Sequence, residues 1–383
     1  MYAANNYVRF SKPNVSKKRM PEPLKNLYNH TFFDSLNTAM LQAYPAFDTL
    51  KFNTLIYDED WETKELKQRM RHITESLHQC LPEYELAIPI LKAASSHFSN
   101  TFTHMFFPEY AELYGMEHYD ISIDALEHFT QYSSSEFAIR PFIIKYPEKT
   151  MQHMKAWAKH KNEHVRRLAS EGCRPRLPWA MQLPAFVQDP APVLDILEQL
   201  KHDESLYVRR SVANNLNDIA KDHPQIVADI AKTWLGKNED TDWLVKHACR
   251  TLLKQAHLQT LALFGYNPAE HTQVKEFKVT PEVVWGGRVA FSAQLQSNTS
   301  LGKLRLEFAI DFMKANGKTA RKVFKISESN IQTSSKNIEK SFSFKPISTR
   351  KYYAGKHQLS LIINGQVSAT LPFVLFTEPT ETL

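Results

Sequence analysis

The chain has 383 residues, a formal net charge of +6 at pH 7 and 43% hydrophobic side chains, enough for a sizeable core. Its three cysteines show no CxxC spacing, which argues against a disulfide framework or a zinc site and favours a reducing, cytoplasmic setting. No apolar signal segment and no run of 18 apolar residues occurs, so we expect neither secretion nor a membrane span.

Residues 1–20 are polar, basic and unpatterned, and we predict a flexible basic arm there. Residues 21–268 are predicted to be helical, because apolar side chains recur at helical spacing and glycine is scarce. The segment ETKELKQRMRHITESLHQCL shows this most clearly, since Leu66, Met70, Ile73 and Leu77 form one apolar stripe.

The segment EHVRRLASEGCRPRLPWA, residues 163–180, begins as a helix with an apolar stripe of Val165, Leu168 and Ala169. Gly172 is expected to end this helix in the usual C-terminal manner of glycine. The two prolines that follow exclude further helix. An inter-helix connector with solvated charges is the alternative to a functional loop here. The helix end and the loop carry Arg166, Arg167, Glu171, Arg174, Arg176 and Trp179.

A related motif recurs in NEHVRRLASEG, DESLYVRRSVANNLNDIAKDHP and DTDWLVKHACRTLLKQ. Its valines, Val165, Val208 and Val245, lie 43 and 37 residues apart. That spacing is near the period of two-helix HEAT repeats, roughly 40 residues, and each motif is expected to begin the second helix of a repeat. The arginines after Val208, Arg209 and Arg210, either face a partner or form ion pairs with the acidic caps of neighbouring repeats.

Beyond residue 275 the pattern changes to short alternating segments separated by turn signals, with ANGK and INGQ as hairpin turns. Seven such strands in about 100 residues favour an immunoglobulin-like sandwich, placed over residues 275–377. The predicted fold class is therefore mainly α, a HEAT-like helical-repeat solenoid followed by a C-terminal all-β immunoglobulin-like sandwich.

Charge is distributed unevenly along the chain. Residues 140–180 hold ten basic and three acidic side chains, and residues 275–356 hold sixteen and six. The remainder is net negative, because the whole chain carries only +6. This polarity indicates a polyanionic partner, although a solvated basic surface would explain either segment alone.

The motifs of nucleotide hydrolases, dinucleotide enzymes, zincins and esterases are absent from the sequence. His160 and His164 lie four residues apart but lack a third ligand, so we expect no metal and no cofactor. Glu136, in SSSEFAIR, is expected at the start of a helix, with Ser133, Ser134 and Ser135 as candidate caps. A capping role is the alternative to a chemical role for this carboxylate.

Four segments, HVRRLASEGCRPRLPWA, SSEFAIRPFI, PEPLKNLYN and YVRRSVANNLNDIAKDHP, resemble the AlkC family of bacterial alkylpurine DNA glycosylases. These are HEAT-like-repeat enzymes related to AlkD. The resemblance covers nearly the whole chain, because AlkC proteins of this kind also carry a C-terminal immunoglobulin-like domain. One departure is Cys173, where many relatives are expected to have a small polar residue.

The resemblance implies hydrolysis of the N-glycosidic bond of cationic alkylated bases in double-stranded DNA, as in base excision repair. The base is chiefly 3-methyladenine, with 3-methylcytosine and 1-methyladenine as further candidates. By the same resemblance Glu136, Glu171 and Trp179 face the lesion. No lysine is expected to act as a Schiff-base nucleophile, so the enzyme would be monofunctional. The residues assigned to DNA binding are Arg140, Arg166, Arg167, Arg174, Arg176, Arg209, Arg210, Asn214, Asn215 and Asp218.

Residue chemistry agrees with this expectation. An alkylated purine is already cationic and leaves without a general acid, so a carboxylate is needed only to stabilise the oxocarbenium-like sugar and to orient water. An indole attracts the cationic base. Many glycosylases flip the base, whereas AlkC and AlkD hold the lesion at the duplex surface, and the sequence does not decide between them. We expect a cytoplasmic, nucleoid-associated monomer. The rival functions are a non-catalytic HEAT-repeat scaffold and a glycosylase-like fold used for structural DNA recognition.

Overall fold

The computed structural model describes residues 23–347 and 350–376, so the predicted basic arm over residues 1–20 lies outside the described residues. The chain forms two compact units that divide between Phe142 and Ile143. This division falls within the predicted helical domain, and the later helices belong to the same unit as the strands.

The first unit is helical. Asn29 caps its first helix, because the side chain accepts a hydrogen bond from the Phe32 amide at 3.1 Å. The apolar stripe predicted from the sequence lies on α3, where Met70, Ile73 and Leu77 are buried. The bounds are α1 (His30–Ala43), α2 (Thr49–Ile56), α3 (Leu66–Cys80), α4 (Tyr84–Ser95), α5 (Phe106–Tyr114) and α6 (Tyr119–Phe129), and α7 (Ile139–Lys145) crosses into the second unit.

Helix pairs make up the first part of the second unit, as the repeat predicts. The helix α12 packs against both α9 and α14, and these three helices carry the repeated motif. Val165 and Val208 are the third residues of their helices, whereas Val245 is the seventh, a shift of one turn that keeps it buried on the same face. The bounds are α8 (Pro147–Trp157), α9 (Glu163–Glu171), α10 (Pro184–Gln188), α11 (Ala191–Leu200), α12 (Leu206–Ile219), α13 (Pro224–Trp234), α14 (Glu239–Ala248), α15 (Arg250–Lys254) and α16 (Leu258–Leu263).

Gly172 follows α9, as expected, but not in a left-handed conformation. Its φ and ψ are −62° and −33°, and the right-handed turn continues until the Arg174 amide donates to the Glu171 carbonyl at 3.2 Å. The left-handed residue in this region is instead Trp179, with φ of 65°. The continued turn brings the Arg174 side chain back to Glu171.

The second part of this unit is a two-sheet sandwich, which confirms the predicted fold class. One sheet has the order β1-β3-β6 and the other β2-β8-β7-β4-β5. The alternating segment FKVTPEVVW, residues 277–285, is one of the seven strands predicted from the sequence. The structure breaks it at Pro281 into β1 and β2, which lie in different sheets. The bounds are β1 (Gln273–Val279), β2 (Glu282–Val284), β3 (Arg288–Gln296), β4 (Gly302–Met313), β5 (Thr319–Ile331), β6 (Ser335–Ser343), β7 (Gly355–Ile363) and β8 (Gln366–Phe376).

Both predicted hairpin turns are present, and one of them docks onto the helices. Asn364 and Gly365 have φ of 47° and 81°, the left-handed pair that a tight β-turn between β7 and β8 requires. A Cβ on Gly365 would lie 2.6 Å from a Leu261 methyl, so only glycine allows this approach to α16. The Asn364 side chain also donates to the Asn267 carbonyl at 2.7 Å. The sandwich is therefore anchored directly to the helices of its own unit.

Within residues 23–347 and 350–376, no helix combines the length and the apolar character that a membrane span requires.

Candidate functional site

Glu171, the last residue of α9, is buried between two arginines. Its side chain is 6% exposed, and its Oε1 accepts from Arg174 Nη1 at 2.5 Å and lies 3.5 Å from Arg167 Nη2. Arg167 precedes Glu171 by one helical turn, and Arg174 returns to it through the turn at Gly172. The carboxylate is therefore fixed in position by groups on both sides in sequence.

The environment keeps Glu171 ionised. Burial raises the pKa of this carboxyl, but the charges of Arg167 and Arg174 and a hydrogen bond from Ser211 outweigh burial, so the pKa is lowered overall. At neutral pH the group is an anion held away from bulk water. Such a group stabilises a positive charge that develops beside it more strongly than a solvated carboxylate does.

Arg174 connects Glu171 to the next repeat. Its Nε donates to Asp218 Oδ2 on α12 at 2.8 Å, and Lys221 Nζ donates to Asp218 Oδ1 at 2.8 Å. Arg174 and Asp218 are only 7% and 2% exposed. The two side chains are engaged with each other, and Arg174 is thereby held against Glu171. Their contact with DNA stays a prediction.

A second set of polar contacts joins α9 to α12 beneath Glu171. Ser170 and Ser211 hydroxyls lie 2.7 Å apart, and Asn215 Nδ2 donates to the Ser170 carbonyl at 2.8 Å. Asn215 is fully buried, so its predicted contact with DNA is wrong. Sequence reasoning missed Ser211. The available signal was the spacing of Ser211, Asn215 and Asp218, a polar stripe at i, i+4 and i+7 on a face that α12 must bury.

Arg166 and Arg209 occupy corresponding positions in successive repeats. Arg166 Nε pairs with Asp203 at 2.6 Å, and Arg209 Nη2 pairs with Asp240 at 2.7 Å. Arg209 also donates to the Asp203 carbonyl at 2.7 Å. Both arginines therefore form ion pairs with acidic residues of a neighbouring repeat. This is the alternative that the sequence left open for the arginines after Val208. Their assignment to DNA binding is corrected accordingly.

Arg140, on α7, is also corrected. Its side chain is fully buried, and a guanidinium without exposed surface cannot reach a DNA phosphate. Its position in the sequence, within a basic segment, gave no indication of this burial.

The remaining DNA-binding candidates are each at least partly accessible to solvent. Arg210 is exposed and forms no ion pair with any residue in the described ranges. Arg167 lies over the Tyr207 ring at 5.0 Å, and Arg176 pairs with Asp222 through two hydrogen bonds of 2.9 Å. Asn214 is half-buried and accepts from Arg250 Nη2 at 3.0 Å. These four side chains keep their assignment as a prediction.

Trp179 lies on the proline-bounded loop after α9 and is 70% exposed. Its φ of 65° is rare for a bulky residue and costs roughly 1–3 kcal/mol, a strain that recurs at functional sites. The loop is closed by a hydrogen bond from the Leu183 amide to the Pro175 carbonyl at 3.1 Å. This fold of the loop presents a large aromatic side chain eight residues after the buried carboxylate.

Glu136 lies in a turn rather than in a helix, three residues before α7 begins. Ser134 donates to Glu136 Oε2 at 2.9 Å. Ser133 and Ser135 donate to the carbonyls of Thr101 and Leu126, and none of the three serines is the residue that precedes α7, because that helix begins only at Ile139. Glu136 belongs to the first unit, and its role beside Glu171 stays a prediction.

No group of three or more His, Cys, Asp or Glu side chains in the described parts of the chain is arranged to hold a metal ion.

Comparisons with known proteins match both parts of the chain. Residues 130–252 match the family model of the DNA alkylation repair enzymes, and residues 273–377 match that of the C-terminal Ig-like domain of YhaZ. Protein YhaZ of Bacillus subtilis strain 168 is 49% identical over 356 residues, which are 91% of this chain and 98% of that protein. The Pseudomonas fluorescens alkylpurine DNA glycosylase AlkC, solved with DNA containing an abasic site analog, is 36% identical with a TM-score of 0.88, covering 93% of this chain and 100% of that one.

The chain belongs to the AlkC family. This membership confirms the resemblance found in the sequence and extends over helices and sandwich alike. Glu136, Glu171, Trp179 and Asp218 all lie in the segment that matches the DNA alkylation repair enzymes. The AlkC-family fold thus contains the buried carboxylate, its supporting ion pairs and the exposed indole within one matched region.

Proposed function

We propose that this AlkC-family protein is a monofunctional DNA glycosylase of base excision repair. Its substrates would be cationic alkylated bases in double-stranded DNA, chiefly 3-methyladenine, with 3-methylcytosine and 1-methyladenine as further substrates. The observation that carries the proposal is Glu171, a buried carboxylate that two arginines keep ionised at the end of α9. The protein would act as a monomer in the bacterial cytoplasm, where the chromosomal DNA lies.

The proposed reaction breaks the bond between the sugar C1′ and the base nitrogen. The bonding electron pair leaves with the base and neutralises its positive charge, so no general acid is needed. The sugar is left as an oxocarbenium-like cation, to which water adds, and the water proton passes to a carboxylate and then to solvent. The products are a free methylated base and an abasic site in an uncut strand.

Glu171 supplies the charge that this cation needs. Asp218 balances the charge of Arg174, so Arg174 can fix the position of Glu171 without cancelling it. Preorganised charges of this kind lower a barrier because they need no rearrangement when the reaction occurs. Glu136, whose carboxylate accepts from Ser134, is assigned to orienting the water.

Trp179 is assigned to the base. The face of an indole attracts a cation, and the gain is about 2 kcal/mol where water is excluded. A cationic methylated base would gain from this contact, whereas an undamaged neutral base would not. The attraction therefore favours lesions over normal bases.

The experiment is incubation of methylated duplex DNA with the full chain and with a Glu136→Gln/Glu171→Gln double variant, followed by chromatography of the released bases. The proposal expects release of 3-methyladenine by the wild type only, with no strand cleavage until alkali is added. A scaffold would release no base in either case. A protein for structural DNA recognition would bind abasic or branched DNA without turnover.

Arg209 and Arg210 form a matched pair for testing DNA contact. Arg210→Gln is expected to weaken DNA binding several-fold and to reduce the slope of log affinity against log salt by about 0.9, because one phosphate contact is lost. Arg209→Gln should leave that slope unchanged and lower the free energy of unfolding by about 1–3 kcal/mol, since it breaks buried hydrogen bonds. Fluorescence anisotropy and urea unfolding measure the two quantities, and the reverse pattern would contradict both assignments.

The lowered pKa of Glu171 has a consequence for pH dependence. Its ionised form stabilises the folded state above the unfolded-state pKa, and this contribution is lost as pH falls through the lowered folded pKa. Base release should therefore persist below the usual glutamate pKa of about 4.3. In Arg167→Gln the pH at which base release is lost on the acid side should be higher than in the wild type. The reason is that the charge of Arg167 no longer lowers the pKa of Glu171, whereas burial still raises it. The measurement is the single-turnover rate at each pH, corrected for uncatalysed release. Identical pH profiles for the wild type and Arg167→Gln would contradict the prediction.

A further inference from the structure

A cleft of about 590 Å³ lies within the second unit, between α14–α15 and strands β4–β5. Its size is within the range of small-ligand sites, about 300–1,000 Å³, and it is too small for a duplex. Glu171 and Trp179 are not among its lining residues, so the cleft is separate from the proposed reaction site. The side chains that matter for its chemistry are Trp243, His247, Arg250, Lys254, Lys325 and Glu328.

The walls of the cleft are held together by an ion pair. Lys246 Nζ on α14 lies 2.6 Å from Glu328 Oε2 on β5, and Glu328 also pairs with Arg305. The docked hairpin at Gly365 adds a second connection between helices and sandwich. These contacts fix the position of the helices and strands that form the cleft. Lys246 and Arg305 already balance the negative charge of Glu328.

Three cations in the cleft, Arg250, Lys254 and Lys325, make no direct ion pair with a carboxylate of the described ranges. Arg250 donates to the His247 carbonyl at 2.8 Å and to Asn214 Oδ1 at 3.0 Å, which fixes its guanidinium beside the cleft. An anionic ligand would supply the charge that these groups lack.

An aromatic pair accompanies the cations. The Trp243 indole and the His247 ring are stacked at 5.3 Å with an interplanar angle of 11°, and Trp243 is 40% exposed. His247 Nε2 lies 3.1 Å from Asn214 Oδ1, an acceptor that also binds Arg250, so the imidazole donates there and is held in one orientation. The pair is a fixed and partly exposed stacking surface.

We propose that this cleft binds an unpaired nucleotide of a DNA strand, with its base on Trp243 and its phosphates at Arg250, Lys254 and Lys325. Aromatic stacking with neighbouring cations is the chemistry by which proteins hold unpaired nucleotides. The proposal rests on the proposed function only in taking DNA as the ligand. It assigns to the protein a second contact with DNA, away from the lesion.

The test compares the affinity of the full chain for an undamaged duplex and for the same duplex with one bulged thymidine. The wild type should prefer the bulged duplex about tenfold, the contribution of one stacked base. Trp243→Ala should abolish the preference, Trp243→Phe should keep most of it, and Leu258→Ala, at an exposed site on α16, should change nothing. Lys254→Gln/Lys325→Gln should weaken binding of the bulged duplex and reduce its salt slope.

Two results would overturn the proposal. One is equal affinity of the wild type for the two duplexes, or a preference that survives in Trp243→Ala. The other is displacement of the bulged duplex by free thymidine monophosphate at equal concentration, which would make the ligand a free nucleotide. Base release at saturating protein should be the same in Trp243→Ala and the wild type. Failure of the glycosylase proposal would show in that assay alone, because the binding comparison uses undamaged DNA.

Discussion

Glu171→Gln is expected to lower the single-turnover rate of base release about 10²–10³-fold, the usual cost of removing one preorganised electrostatic contact from a reaction site. Glutamine keeps the shape of the side chain but removes the negative charge that Arg167 and Arg174 hold in the folded protein. The rate is measured with excess protein on a duplex that contains one methylated base, so that binding does not limit it.

Glu204→Gln is the matched control for this variant. Glu204 lies between α11 and α12, and its side chain is 90% exposed. Its pairing with Arg166 at 3.5 Å is of the solvated kind that contributes little, so the rate should not change. A Glu171→Gln rate within threefold of the wild type, with the fold intact by circular dichroism, would remove Glu171 from the chemistry.

Arg174→Met is expected to have the largest effect on stability, a loss of about 3–5 kcal/mol in the free energy of unfolding. The reason is that Glu171 and Asp218, both nearly inaccessible, would lose the guanidinium that lies between them. Urea unfolding followed by circular dichroism measures the loss. Base release should also fall, since Glu171 loses its fixed position.

Arg176→Met provides a control two residues away. Arg176 pairs with Asp222, but both side chains are more than a quarter exposed, and such solvated pairs contribute little to stability. Adding Asp218→Asn to Arg174→Met should restore part of the lost stability. The reason is that Glu171 is then the only one of the two buried carboxylates that is still charged and has lost Arg174. Equal losses in Arg174→Met and Arg176→Met would show that the buried ion pairs do not carry this part of the fold.

The sequence by itself determined the fold class. Apolar spacing predicted α3 and the repeated helices, and the turn signals at Gly317 and Gly365 marked two hairpins that the structure contains. These predictions succeeded because helix periodicity, strand alternation and tight turns depend on residues close together in the chain. The family was also readable from the sequence, because the segment around Glu171 is long and specific.

Only the tertiary structure decided which charges are available to a partner. Arg209 and Arg210 are neighbours in the sequence, yet Arg209 is buried against Asp240 while Arg210 is exposed, because adjacent residues of a helix face different sides. Arg174 meets Asp218 across 44 positions of the chain. The number of basic residues in a segment cannot reveal such pairs. Whether an arginine is paired or free depends on acidic residues that another repeat contributes. For the same reason, the support of Glu171 by Arg174 and Asp218 was visible only once the repeats were packed together.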